Sequence, residues 1–287
     1  MNYIEKLEES AIHVKNIACM GLDPKMDVLP ESDKSIREVM NDYFYTLFRR
    51  MSLSGLVPAA FKPNIGYYQA LDKPRDEMFE GSLALSDVLD MLENFFPSIP
   101  IILDSKRGDI ARSSLNYSIE AFDCWNCDAT TVSPYMGSDS ISPFQVKNKG
   151  LYVLNRTSNP GGKDFQNLIC ENDKPLYLEV SENIVKWSKS EIGIGAVVGA
   201  TSMNELSNIA KYYSDKKIPM LIPGVGSQGG SAKDVMDTLS DANYPLYLAR
   251  INSSSSLTHP WKKNHAPDDW LDLCMKQIKE LMRETSI

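Results

Sequence analysis

The chain has 287 residues, 43% of them apolar and 24% charged, with a formal net charge of −8. That composition belongs to a globular protein able to bury a large core, and no apolar run is long enough to span a bilayer. An acidic balance without a basic stripe carrying interleaved aromatics argues against a nucleic-acid partner, so an anionic ligand must be drawn by local positive charge.

The opening MNYIEKLEESAIHVKN is polar and acidic, which predicts a helix over about 1–15 and no secretory signal. Short apolar or β-branched runs then recur: IACMGLD (17–23), AAFKPN (59–64), IPIILDSK (99–106), DATTVSP (128–134), GLYVLNR (150–156), GIGAVVGA (193–200), IPMLIPG (218–224) and YPLYLAR (244–250). Helical spacing of apolar residues fills the intervals, at 36–51, after Asp109, at 203–213 and at 231–239, and a last helix is expected over about 266–284. Eight strands alternating with helices predict a parallel sheet, and eight is the number that closes a (β/α)8 barrel. An open doubly wound sheet is the alternative. With no internal repeat and no linker, 1–287 is expected to form a single domain, and the tract 253–256 reads as a polar loop.

Five cysteines spread over a chain without a secretory signal read as reduced thiols, which favours the cytoplasm. The C-x-x-C of Cys124 and Cys127 ends a helical pattern instead of opening one after a strand, so redox chemistry is not expected. His13, His259 and His265 have neither zinc-ligand spacing nor cysteine partners.

The chemistry gathers at strand ends, where barrel enzymes place their working residues. Residues i and i+2 of a strand face one side, so Asp104 projects with Lys106, and Lys62 with Asn64; Asp23 closes the first strand in the same way. Each has a plain structural explanation: Asp109 as a helix cap, Lys106 and Arg107 as solvated turn residues, Asp23 as a turn starter before Pro24. On successive strand tips, opposite charges that relieve one another make a better account. After the seventh strand, PGVGSQGG (223–230) satisfies G-x-G-x-x-G through Gly224, Gly226 and Gly229, with Arg250 about twenty positions on. A dinucleotide-binding oxidoreductase would use such a loop, but its position in the chain favours a phosphate monoester held by glycine N–H groups, Gln228 and Arg250. After the fifth strand, NRTSNPGG (155–162) offers Thr157, Ser158 and Asn159 as neutral hydrogen-bonding groups.

Together these motifs resemble the orotidine 5′-phosphate decarboxylases. LDSKRGDI carries that family's D-x-K-x-x-D-I through Asp104, Lys106, Asp109 and Ile110. FKPN, GLDP, RTSNP, PGVGSQGG and the arginine of LYLARIN follow in the expected order, over about 17–255. The length and the R-G-D-I form resemble the longer bacterial branch. The resemblance implies a homodimer of barrels with shared active sites, orotidine 5′-phosphate as substrate, and neither metal nor organic cofactor. It implies Lys106 as the proton donor to C6, Asp104 facing the departing carboxylate, Lys62 pairing with the acids and holding the ribose, and Asp109 entering from the partner subunit. Asp23 and Asn64 would meet the ribose and its neighbours, Ser158 the pyrimidine edge, and Gln228 and Arg250 the phosphate, with Thr157 and Gly226 also among the substrate-binding residues. Ile110 and Ser113 would complete the site, Ser113 standing where many members have threonine; alanine precedes Arg250 where glycine is frequent. A magnesium-dependent sugar-phosphate decarboxylase or synthase of the same barrel group, and a catalytically idle nucleotide-binding barrel, are the alternatives.

Overall fold

The structure is a computed structural model that describes residues 1–188, 193–226, 229–261 and 265–287. Its strands are β1 (Ala18–Leu22), β2 (Ala60–Pro63), β3 (Ile102–Arg107), β4 (Ala129–Val132), β5 (Gly150–Arg156), β6 (Gly193–Val198), β7 (Met220–Ile222) and β8 (Ala249–Ser253). The helices are α1 (Tyr3–Val14), α2 (Ile36–Leu53), α3 (Ile65–Gln69), α4 (Glu80–Phe95), α5 (Ala111–Ile119), α6 (Ser138–Ile141), α7 (Leu176–Trp187), α8 (Met203–Tyr213), α9 (Ala232–Asp241), α10 (Ser255–Thr258) and α11 (Trp270–Glu284).

All strand pairs are parallel, in the order β2-β1-β8-β7-β6-β5-β4-β3. The two ends of that order meet through parallel bridges Phe61↔Ile101 and Asn64↔Asp104, which close the sheet into the (β/α)8 barrel expected from the alternation. The second bridge joins two residues singled out for chemistry, so the barrel's seam runs through the site.

Helix α1 lies across the N-terminal end of the barrel. Asn2 and Glu5 form a reciprocal capping box that starts it, and Tyr3 and Leu7 then pack with Cys19, Ala60, Ile102, Ala129, Tyr152 and Leu221 inside the barrel. A Cβ on Gly150 would lie 2.3 Å from the Tyr3 ring, so that strand start must be glycine for the helix to seat.

The last strand departs from expectation. Pro245 offers no N–H, Leu246–Leu248 turn as a 3-10 helix, and pairing begins only at Ala249. Arg250 is therefore near the start of β8 and not at its tip. It is fully buried, and its five N–H groups are all used: Nε to Ala59 O, Nη1 to Tyr247 O and Ala249 O, Nη2 to Leu7 O and Ser10 Oγ. The expectation that Arg250 grips a phosphate is corrected. It ties α1 to the barrel floor and does not line the cavity.

Candidate active site

The C-terminal ends of the strands surround a cavity of about 750 Å³. Its centre is a row of three charges. Lys62 Nζ is 2.7 Å from Asp104 Oδ2, and Lys106 Nζ is 2.6 Å from Asp104 Oδ1. Lys62 and Asp104 are buried, whereas the Lys106 side chain remains 49% exposed and so keeps its ammonium open to the cavity.

Backbone irregularity aims that ammonium. The β3–β4 register shifts between Leu103 and Arg107, and Lys106 has φ of 47°, in the left-handed region that costs a non-glycine residue energy. Thr131 fills the interrupted ladder: its Oγ1 accepts from Ser105 N (3.1 Å) and Lys106 N (2.9 Å) and donates to Asp104 Oδ1 (2.9 Å). One hydroxyl thus fixes both the acid and the backbone of the lysine. Arg107 turns the other way, onto Glu120 at 2.9 Å and over the Tyr117 ring.

Burial alone would raise the Asp104 pKa, but Lys62 and Lys106 hold it well below the usual carboxylate range. Burial alone would likewise lower Lys62, and Asp104 and Asp23 raise it above the ordinary lysine value. Both members are held in their charged forms. A depressed carboxylate contributes stability above its unfolded value, about 3.9, and loses it as pH falls toward the folded value. A raised lysine contributes below about 10.4 and loses it as pH rises through the folded value. Asp104→Asn is therefore expected to cost about 3–5 kcal/mol at pH 7, because Lys62 is left charged and dry. Chemical denaturation should show the gap to wild type steady between about pH 5 and 9 and narrowing below about pH 4.

Of the other expected site residues, Asp23, Asn64, Thr157 and Ser158 line the cavity, as does Asn159. Asn64 Oδ1 caps the start of α3, and Asp23 Oδ1 is buried without a partner. Thr157 is braced by Gln166, while the Ser158 hydroxyl makes no hydrogen bond among the described residues. Gly199 admits the Ser158 backbone, since a Cβ there would lie 2.7 Å from its N and Cα. Gly224 and Val225 reach the cavity but Gly226 does not; it packs against Ser253 and Ser256 instead. Gln228 lies outside the described residues. Asp109, Ile110 and Ser113 do not line this chain's own cavity. Asp109 is not the helix cap: that position falls to Ile110, and Asp109 Oδ1 accepts from Ile110 N at 2.7 Å. The C-x-x-C cysteines are free, and burial pushes the Cys127 thiol well up, the opposite of an activated thiol.

Sequence reasoning missed Lys25, Thr131, Asn252 and His259, all of which line the cavity. Strand alternation through DATTVSP could have found Thr131. Asn252 and His259 were hidden by the displaced start of β8.

The model of the orotidine 5′-phosphate decarboxylase / HUMPS family matches residues 58–244, more than half of the chain. The chain belongs to this family. Among relatives of the decarboxylase family, the orotidine 5′-phosphate decarboxylase of Herpetosiphon aurantiacus is 38% identical over 235 residues, which cover 82% of this chain and 83% of that protein. Among solved structures, the OMP decarboxylase of Leishmania donovani aligns with a TM-score of 0.76 at 29% identity, covering 99% of both chains. The UMP synthase of the same organism aligns with a TM-score of 0.77 at 30% identity; 98% of this chain is covered, and it spans 56% of that longer protein.

Proposed function

We propose that this chain decarboxylates orotidine 5′-phosphate to UMP and carbon dioxide, the reaction that its family and its curated relatives' names bring with them, as a step of pyrimidine nucleotide biosynthesis. The observation that carries the mechanism is the half-open Lys106 ammonium held against buried Asp104. When the C6–carboxylate bond breaks, its electron pair stays on C6 in the plane of the ring, where the π system cannot spread it. A fixed ammonium in a site emptied of water stabilises that charge and then donates a proton to C6, leaving a neutral amine that solvent recharges after product release. Asp104 keeps Lys106 in register and faces the leaving carboxylate. Lys62, Asp23 and Asn64 take the ribose, and Thr157 and Ser158 the pyrimidine edge.

The active unit is a homodimer in which Asp109, with Ile110 and Ser113, completes the partner's site. Supporting this, Ile110, Leu115 and Ile119 are exposed apolar side chains on and beside α5, and Tyr135 and Met136, between β4 and α6, are exposed as well. An exposed apolar patch beside an acid that its own cavity does not use is what a shared site presents. Mixing inactive Lys106→Ala with inactive Asp109→Asn should restore activity through hybrid dimers; no recovery would remove the shared site. Among the described residues no helix is long and apolar enough to cross a membrane, and the assignment to the cytoplasm rests on that and on cysteine usage.

The deciding test is to add orotidine 5′-phosphate and a chelator to the purified protein. UMP and carbon dioxide should appear in equal amounts, at a rate the chelator leaves unchanged. Failure to release either, or activity only on a sugar phosphate with magnesium restored, would overturn the proposal in favour of the related magnesium-dependent barrels.

A further inference from the structure

With Arg250 beneath the barrel floor, the cationic or basic side chains lining the cavity among the described residues are Lys25, Lys62, Lys106 and His259. Lys62 and Lys106 are both bound to Asp104 on the β2–β3 side. His259 and Lys25 lie on the segments that follow β8 and β1, the next strands round the barrel from β2.

His259 is only 3% exposed, and its Nε2 is buried with no hydrogen-bond partner among the described residues. A polar nitrogen stripped of water and left unpaired is unfavourable, so a ligand atom that meets it accounts for the position. The ring is held from behind. Nδ1 is 2.9 Å from Thr258 Oγ1, which is in turn 3.2 Å from Ser254 O. A neutral ring that accepts from Thr258 at Nδ1, or an imidazolium whose Nδ1–H donates to Thr258, carries on Nε2 a hydrogen that an anion in the cavity can accept; a neutral ring protonated on Nδ1 leaves Nε2 bare, and anion binding selects against that form.

The surroundings fit an anion. Burial and then Lys25 lower the His259 pKa, with Asp23 and Asp27 opposing, which places Lys25 within electrostatic reach of the ring. Lys25 makes no ion pair among the described residues, so its charge is not already neutralised. Ser254 and Ser255 from the end of β8, and Gly224 from the end of β7, line the same end. Ser254 can sit there because β1 has glycine beneath it: a Cβ on Gly21 would lie 1.9 Å from Ser254 Oγ.

We infer that His259, through Nε2–H and assisted by Lys25, binds the phosphate of the substrate nucleotide. This rests on the decarboxylase reading above and assigns its anionic end to residues other than the arginine expected there. The test titrates UMP and uridine by calorimetry into wild type, His259→Ala and His259→Gln. A hydrogen bond to a charged group lost from a buried site corresponds to a fall of about 10- to 100-fold in UMP affinity for His259→Ala. Uridine affinity should move by less than about twofold, since it lacks the phosphate. Glutamine, whose amide nitrogen can stand near the position of Nε2, should recover part of the UMP affinity. Equal losses for UMP and uridine would mean that His259 only supports the fold, and unchanged UMP affinity would mean that it does not touch the phosphate; either overturns the inference. A wild type that neither binds UMP nor decarboxylates orotidine 5′-phosphate would instead overturn the functional reading on which it rests.

Discussion

Lys106→Ala is expected to lower kcat by about 10⁴-fold or more while UMP still binds. The substitution removes two contributions at once, the positive charge beside the developing carbanion and the proton that quenches it, each commonly worth about 10²–10⁴-fold. The fold should survive, because the Lys106 side chain is half exposed and Asp104 keeps Lys62 and Thr131 as partners. Single-turnover decarboxylation measured beside UMP calorimetry separates the two effects. Retention of more than about one per cent of wild-type turnover would remove Lys106 from the chemistry.

Arg250→Ala is expected to damage stability before it affects ligand affinity. Truncation removes the one side chain that donates to the carbonyls of Leu7, Ala59, Tyr247 and Ala249 together and opens a void under α1. Five lost hydrogen bonds and a cavity of that kind cost about 3–5 kcal/mol together. In a chain of this size the apparent melting temperature should drop by about 5–10 °C. The distinguishing measurement is UMP affinity at a temperature where the variant remains folded, which should stay close to wild type. A selective loss of UMP binding with the melting temperature unchanged would return Arg250 to the phosphate.

These two residues show where local pattern suffices and where it fails. Lys62 and Asp104 converge because each follows an apolar run by a fixed few residues, and a two-residue side-chain period then decides which face each takes; Lys106 joins them through the left-handed turn of its own backbone. Strand alternation, helix periodicity and that short-range phase are properties of the chain alone, so the barrel and its reacting end were legible from the sequence. The end of β8 was not. YPLYLAR has the composition of a strand, yet the ladder there is set by partners far away in sequence: Ala249 pairs with Met220, and Ile251 with Ala18. That register, imposed by two neighbouring strands, carries Arg250 to the floor and raises Asn252 and the serines to the rim. His259 enters the cavity only because a four-residue helix follows that rim, and Thr131 becomes a partner of Asp104 only where β3 bulges against β4. Sequence determined which residues could stand at strand ends; pairing across the closed sheet decided which of them do, because hydrogen-bond register is a relation between strands and is not encoded within one.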